Sequence, residues 1–201
     1  MSPLLALSRS IDALNAWIGK LIIWLVLAAV LISAGNAVMR KAFDIGSNAY
    51  LEIQWYLFAA VFMLGVGYVF LRNAHVRIDF ISSKLSLRTN AIIDAIGIVV
   101  FTIPLSLIMI NLSWPLFHQA WVSGEVSSNA GGLIRWPVLL LIPAGFSLLL
   151  LQCLSELVKR VAFIAGRLPS PFTPDPRARA EDELIEELKA EAEKHELQGA
   201  R

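Results

Sequence analysis

The chain contains a single cysteine, three histidines and few charged residues for its length. Only 16% of its 201 residues are charged, whereas 57% are hydrophobic; a soluble domain is nearer a quarter charged and half apolar. The lone Cys153 excludes an internal disulfide framework, a cysteine-based zinc site and a CxxC redox pair. With a mean hydropathy of +0.65, the composition predicts a membrane protein and argues against nucleic-acid binding.

Charge is absent from four long stretches, which predict the fold. These stretches are residues 21–39, 53–71, 95–112 and 136–155. At about 1.5 Å per residue, a helix of such a length crosses a hydrocarbon core about 30 Å thick. Because backbone groups inside lipid must be paired within their own segment, each stretch should be helical. We therefore predict an all-α membrane protein with four transmembrane helices. The first stretch is too long for a signal peptide, so we expect an uncleaved span.

Lys and Arg residues are unevenly distributed around these stretches. Three of them, Arg40, Lys41 and Arg135, fall on one side of the predicted bundle. The other side has nine, namely Arg9, Lys20, Arg72, Arg77, Lys84, Arg88, Lys159, Arg160 and Arg167. Since cytoplasmic flanks carry the excess of positive charge, we predict that the N- and C-termini are cytoplasmic. The loop 113–135 is then external.

The predicted spans also lack ionisable residues near their centres, which excludes several functions. A membrane haem protein needs axial ligands within its spans, but His75, His118 and His195 all lie outside them. A proton-coupled exporter needs an in-span carboxylate, and a channel needs a filter sequence or a polar pore. No HExxH, GxSxG or phosphate-loop motif indicates an enzyme. An accessory membrane subunit without a cofactor remains.

Small residues within the spans predict close helix packing. Ser33 and Ala37 form a small-xxx-small pair in the first span, and Gly65 and Gly67 provide a similar surface in the second. Asp94 lies about one turn into the third helix, near the predicted cytoplasmic face. We expect Arg88 or Arg72 to pair with it.

The most distinctive segment of the chain is residues 48–80. It contains LEIQWYLF at the start of the second span, LGVGY later in that span, and HVRIDF in the following loop. This segment resembles the small, Q-type membrane subunit of TRAP transporters, the tripartite ATP-independent periplasmic transporters of bacteria and archaea. The family's features are a Glu at the outer start of helix two, a Gly-rich middle and an HVRID-like cytoplasmic stretch. Glu52, Gly65 with Gly67, and residues 75–79 match them, and the resemblance covers roughly residues 10–165.

The resemblance implies a role and partners. The small subunit of this family binds a large polytopic membrane subunit, which carries the substrate and Na⁺ sites. A periplasmic substrate-binding protein delivers an organic acid. The small subunit has no agreed catalytic residue and braces the static scaffold of the large one within the bilayer of the bacterial inner membrane. The implied function is therefore that of a non-enzymatic, multi-pass subunit of an ion-coupled symporter. A membrane scaffold or assembly protein unrelated to transport is the alternative.

The resemblance also suggests which residues contact the partners. Candidates for the subunit contact are Glu52, His75, Arg77, Asp79 and Asp94. In this interpretation Glu52 orders the outer ends of helices one and two, against Arg40. Candidates for the outer docking face are Trp114, Trp121 and Glu125. For that external loop the alternative is an interfacial turn followed by a flexible segment.

The composition changes at the end of the predicted transmembrane domain, residues 1–167. Pro169, Pro171, Pro174 and Pro176 predict a stiff linker over residues 168–180. Residues 181–201 hold eight Asp or Glu and three Lys or Arg, and Leu184, Ile185 and Leu188 are spaced as on one helix face. We expect a short acidic cytoplasmic helix there. The resemblance does not extend to this tail.

Overall fold

The described part of the chain is a bundle of long helices. A computed structural model describes residues 3–44, 46–73 and 85–168. Within these ranges the helices are α1 (Pro3–Phe43), α2 (Asn48–Leu71), α3 (Leu87–Gly97), α4 (Ile103–Ser123) and α5 (Trp136–Ile164). A five-residue π-helical turn, Ile98–Thr102, joins α3 to α4. In the described ranges, the extended backbone pairs only at an isolated bridge between Val126 and Ile134.

Four helical segments are long and apolar enough to cross a membrane. They are α1, α2, the continuous segment Leu87–Ser123 that contains α3 and α4, and α5. Each of them includes one of the four uncharged stretches, so the all-helical class and the number of predicted spans are confirmed. The structure extends α1 to 41 residues, well beyond the first uncharged stretch. The predicted tail helix and the proline-rich segment after residue 168 lie outside the described residues.

The central helix of the bundle is α5. It packs against α1, α2, α3 and α4, and α1 also packs against α2. About a third of the apolar window of α5 is buried, compared with 6–11% for the other three segments. The outer helices therefore expose large apolar side chains, such as Trp24, Phe62 and Phe101. This surface suits lipid or the helices of another membrane protein.

Glycines let α1, α2 and α5 approach one another closely. A Cβ atom added at Gly67 would lie 2.3 Å from Oδ1 of Asn15, and one added at Gly145 would lie 2.4 Å from the carbonyl oxygen of Met63. Neither position has room for a side chain. Gly65 and Gly67 are both buried, which agrees with the packing role predicted for them.

The contact predicted at Ser33 and Ala37 is not made within this chain. Both residues are exposed on α1. Instead, α1 approaches α2 at the buried Gly19, where an added Cβ would lie 2.5 Å from the ring of Tyr68. For the packing within this chain, the prediction for Ser33 and Ala37 is therefore wrong, and Gly19 is the small residue that α1 uses.

The helices alternate in direction, so the bundle has two distinct ends. At one end, residues 124–135 connect α4 to α5, and we call this the hairpin end. The other end contains the start of α1 and the end of α5, and we call it the terminal end. The functional candidates cluster at these two ends.

Candidate functional site

The connection between α4 and α5 is a hydrogen-bonded hairpin. Helix α4 ends at Gly124, whose φ of 62° is in the left-handed region that glycine adopts at no steric cost. The Ser127 N–H then donates to the Leu133 carbonyl, and the Arg135 N–H donates to the Glu125 carbonyl, both at 2.9 Å. A tight turn of residues 129–132 closes the hairpin, again with a left-handed glycine at position 131. The Gly-rich stretch of the external loop therefore has a defined structure.

One buried carboxylate holds this hairpin against α2. The side chain of Glu52 is only 3% exposed. Its Oε1 accepts hydrogen bonds from the Ser127 hydroxyl and from Nδ2 of Asn129 at 2.7 Å. Its Oε2 accepts from the backbone N–H of Leu133 at 2.6 Å. Because the acceptor is ionised, these are among the stronger hydrogen bonds available to a protein.

Two further side chains on the same face of α2 bind the hairpin. Asn48 donates through Nδ2 to the carbonyl of Ala130, and the Tyr56 hydroxyl donates to the carbonyl of Ile134, each at 3.1 Å. Asn48, Glu52 and Tyr56 are spaced by four residues, so they align along one side of the helix. From the sequence, Glu52 was expected to order the outer ends of helices one and two, against Arg40. The hydrogen-bond partners of its carboxylate instead belong to the hairpin.

The predicted docking residue Glu125 is also in the hairpin. Its carboxylate forms an ion pair with the Arg135 guanidinium, which lies opposite it on the other arm. The two side chains are 40% and 47% exposed, so solvent screens their attraction and the pair contributes little to stability. Both charges are accessible at the surface of the hairpin end.

The other two docking candidates belong to a row of aromatic rings beside the hairpin. Trp114 contacts Phe117 with ring centroids 5.4 Å apart, and Phe117 contacts Trp121 at 6.1 Å. Trp121 packs edge-to-face on Trp136 at 4.6 Å, which joins the end of α4 to the start of α5. Trp114 and Trp121 remain more than half exposed. The structure thus brings exposed indole rings and the Glu125–Arg135 pair to the same end of the bundle.

The terminal end contains a polar network that was not predicted from the sequence. Asp12 on α1 accepts hydrogen bonds from the Ser155 hydroxyl at 2.7 Å and from Gln152 Nε2 at 2.9 Å. Its second oxygen pairs with Lys159 Nζ at 3.0 Å. One turn further along α1, Asn15 donates to Gln152 Oε1 at 2.9 Å. These contacts fasten α1 to α5.

Charges of alternating sign continue the network from α1 across α5 to α3. Glu156 pairs with both Lys159 and Arg160, and Arg160 Nη2 lies 3.3 Å from Asp94 Oδ2. Glu156 and Arg160 are each 4% exposed. A buried charge is tolerated only when it is paired and hydrogen-bonded. The alternation of acids and bases meets that condition and connects three helices.

The expected partners of Asp94 were Arg88 or Arg72, but among the described residues its carboxylate pairs with Arg160 on α5. The network did leave a signal in the sequence. Ser8, Asp12 and Asn15 recur at intervals of three and four residues on α1, as do Gln152, Ser155, Glu156 and Lys159 on α5. This spacing places polar residues along one face of each helix. Apolar periodicity alone does not detect it.

The three loop candidates for the subunit contact, His75, Arg77 and Asp79, lie outside the described residues. Within the described ranges, no three residues among His, Cys, Asp and Glu are grouped so that they could hold a metal ion. The polar groups that the structure does bring together connect the helices and the hairpin of this chain to one another.

These features define a multi-pass helical membrane protein whose buried polar groups fix its own architecture. Residues 29–163 match the family described as tripartite ATP-independent periplasmic transporters, DctQ component. The chain belongs to this family, that of the small permease subunit of TRAP transporters, and the resemblance identified from the sequence is confirmed. The matched region includes Glu52, the hairpin, Asp94 and the charged residues of α5, whereas Ser8, Asp12 and Asn15 precede it. No curated protein and no solved structure gave a significant match.

Proposed function

We propose that this subunit braces a large, polytopic transporter subunit in the bacterial inner membrane. In this proposal the complex takes up an organic acid that a periplasmic binding protein delivers, in symport with an ion. The observation that carries the proposal is the family match, which extends over most of the helical bundle. The substrate and ion sites are then on the partner, and this chain has a mechanical role.

The internal contacts support such a role. A brace must keep its shape while the transporting part of its partner moves. At the hairpin end, Glu52 ties α2 to the connection between α4 and α5. At the terminal end, the chain of charges ties α1 to α5 and α3. Both ends of the bundle are therefore cross-linked by polar contacts, and the apolar faces between them stay available for the partner and for lipid.

The positive-inside distribution of Lys and Arg supports an orientation with the hairpin end in the periplasm. The exposed Trp114, Trp121 and Glu125 then form a surface on which the binding protein docks. Glu52 supports this surface indirectly, because its carboxylate is occupied by the hairpin. The acidic tail and both termini are cytoplasmic.

We propose that the segment between α2 and α3 contacts the large subunit directly, through His75, Arg77 and Asp79. Asp94 contributes indirectly, because its ion pair with Arg160 holds α3 against α5. A brace needs contacts at both membrane faces to resist tilting of the fixed part of its partner.

The experiment is a mild-detergent pull-down of the tagged chain from native membranes, followed by mass spectrometry. We expect a stoichiometric, larger polytopic membrane protein. The double variant Arg77→Ala with Asp79→Ala should reduce this co-purification several-fold, whereas the exposed Arg88→Ala in the same region should not. A chain that purifies alone would contradict the function and favour a scaffold unrelated to transport. An unchanged yield with the double variant would contradict only the assignment of the loop.

A further inference from the structure

An apolar groove between α1 and α2 opens to the membrane near the terminal end. It has a volume of about 530 Å³ and is lined by four residues of α1 between positions 19 and 23 and by six residues of α2 between positions 61 and 69. Its floor is made by Gly19 and Gly65, which are both buried and have no side chains to fill it. Ile23 and Phe62 flank it and are 68% and 71% exposed. The stretch of α2 that lines it is about 12 Å long.

Two cations flank the groove where it reaches the membrane surface. Lys20 lines it and immediately precedes the first uncharged stretch. Arg72 follows the end of α2, and its guanidinium carbon lies 5.4 Å from the ring centroid of Tyr68. That ring lines the groove and contacts the backbone at Gly19, the residue before Lys20. The Tyr68 ring therefore brings both cations to the same end of the groove.

Neither cation is neutralised within the described part of the chain. No carboxylate there lies within ion-pair distance of Lys20 or Arg72. The Nε–H of Arg72 is buried and, among the described residues, has no hydrogen-bond acceptor. A buried donor without an acceptor is costly. The site thus combines a groove for an apolar chain with two cations that have no anionic partner among the described residues.

We propose that this groove binds an anionic phospholipid of the adjacent leaflet, with one acyl chain in the groove and the phosphate between Lys20 and Arg72. An apolar helix of a partner would fill the groove, but its apolar face would bring no anionic oxygen to the two cations. A phospholipid supplies the apolar chain and the negative oxygens together. The inference does not depend on the proposed transport function, since it concerns surfaces of this chain alone. With the orientation proposed above, the lipid belongs to the cytoplasmic leaflet.

The test is a lipid titration of the purified full chain in detergent, read by native mass spectrometry. The probes are palmitoyl-oleoyl phosphatidylglycerol and the zwitterionic phosphatidylcholine with the same acyl chains. We expect one phosphatidylglycerol to bind in preference to phosphatidylcholine. Lys20→Gln with Arg72→Gln should lower that preference about tenfold, since each cation near a membrane surface attracts anionic lipid. Phe62→Ala removes one wall of the groove and should weaken the binding of both lipids equally.

The matched control is Arg88→Gln with Arg167→Gln, which removes two exposed cations from the same end of the bundle. It should leave the preference within about twofold of the unaltered chain. If the control lost the preference for phosphatidylglycerol to the same extent, the preference would reflect overall charge, and the proposed site would be wrong. A preference retained by the Lys20 and Arg72 variant would also overturn it. So would efficient cross-linking of Phe62→Cys, in a Cys153→Ala background, to a co-purifying membrane protein, because a partner helix would then occupy the groove.

Discussion

Glu52 accepts a hydrogen bond from the backbone N–H of Leu133 at 2.6 Å, although 81 residues separate them in the sequence. This contact fixes the start of the second span to the segment that leads into the central helix. The donor belongs to the main chain, so no substitution at position 133 other than proline removes it. The conformation of the hairpin therefore depends on the carboxylate at position 52.

Replacing that carboxylate by an amide should loosen the hairpin. In Glu52→Gln, one of the two oxygens becomes an NH₂ group, which cannot accept from Ser127, Asn129 or Leu133. At least one of the three hydrogen bonds is then lost, and those that remain are no longer assisted by charge. We expect backbone amide hydrogen exchange at residues 127 and 133 to become at least about tenfold faster.

The control for this experiment is Glu125→Gln, which makes the same chemical change in the same hairpin. Its ion pair with Arg135 is exposed, and exposed pairs contribute little. Exchange at residues 127 and 133 should then change by no more than about threefold. If Glu125→Gln accelerated exchange as much as Glu52→Gln did, the buried carboxylate would not be what holds the hairpin.

The polar network at the terminal end should contribute measurably to stability. In Asp12→Asn, the pair with Lys159 loses its charge, and the new amide NH₂ faces a donor in either orientation, Lys159 on one side or Ser155 and Gln152 on the other. We expect a loss of about 1–3 kcal/mol, seen as a thermal midpoint lower by about 2–12 °C in detergent. Asp44→Asn is the matched control, because Asp44 is exposed and has a φ of 53°, which Asn adopts readily. Equal midpoints for the two variants would show that Asp12 is not structurally important.

The spans could be predicted because each is recognised from one continuous stretch of sequence, without knowledge of which helices are neighbours. Between 18 and 20 residues without a charge predict a membrane helix from length and polarity alone, and the structure has a helix over each of the four stretches. The packing role of Gly67 was predictable for a similar reason, since a missing side chain permits close approach whatever the partner helix is.

The partners of polar residues could not be predicted in the same way. Gln152 and Asp12 are 140 residues apart in the sequence, and their contact depends on which helices are neighbours. Glu52 and Asp94 were identified as important from their positions, but the partners expected for them were not those that the structure shows. A single sequence gives the position of a charge along its own helix, whereas its partner is set by the arrangement of the whole bundle.

The close contact between α5 and α2 should not tolerate a methyl group. In Gly145→Ala the new Cβ would lie 2.4 Å from the backbone carbonyl oxygen of Met63, and backbone cannot rotate away as a side chain can. We expect a destabilisation of about 1–3 kcal/mol by thermal unfolding. Gly35→Ala is the control, since nothing lies within 4 Å of its added Cβ, and alanine there should be neutral or stabilising by up to about 1 kcal/mol. A stable Gly145→Ala variant would mean that the two helices can separate freely.

The orientation of the bundle can be tested by labelling introduced cysteines, because the single native cysteine should not react with the label. Cys153 is fully buried in α5, so an impermeant maleimide should not label the unaltered chain. Ser128→Cys would place a thiol on the exposed surface of the hairpin, and Gln198→Cys would place one in the acidic tail. Because nine of the twelve Lys and Arg residues that flank the spans lie on the side of the termini, we expect right-side-out vesicles to label position 128 at once. Position 198 should be labelled only after permeabilisation. The opposite pattern would reverse the topology and place the docking surface on the cytoplasmic side, where a periplasmic binding protein could not reach it.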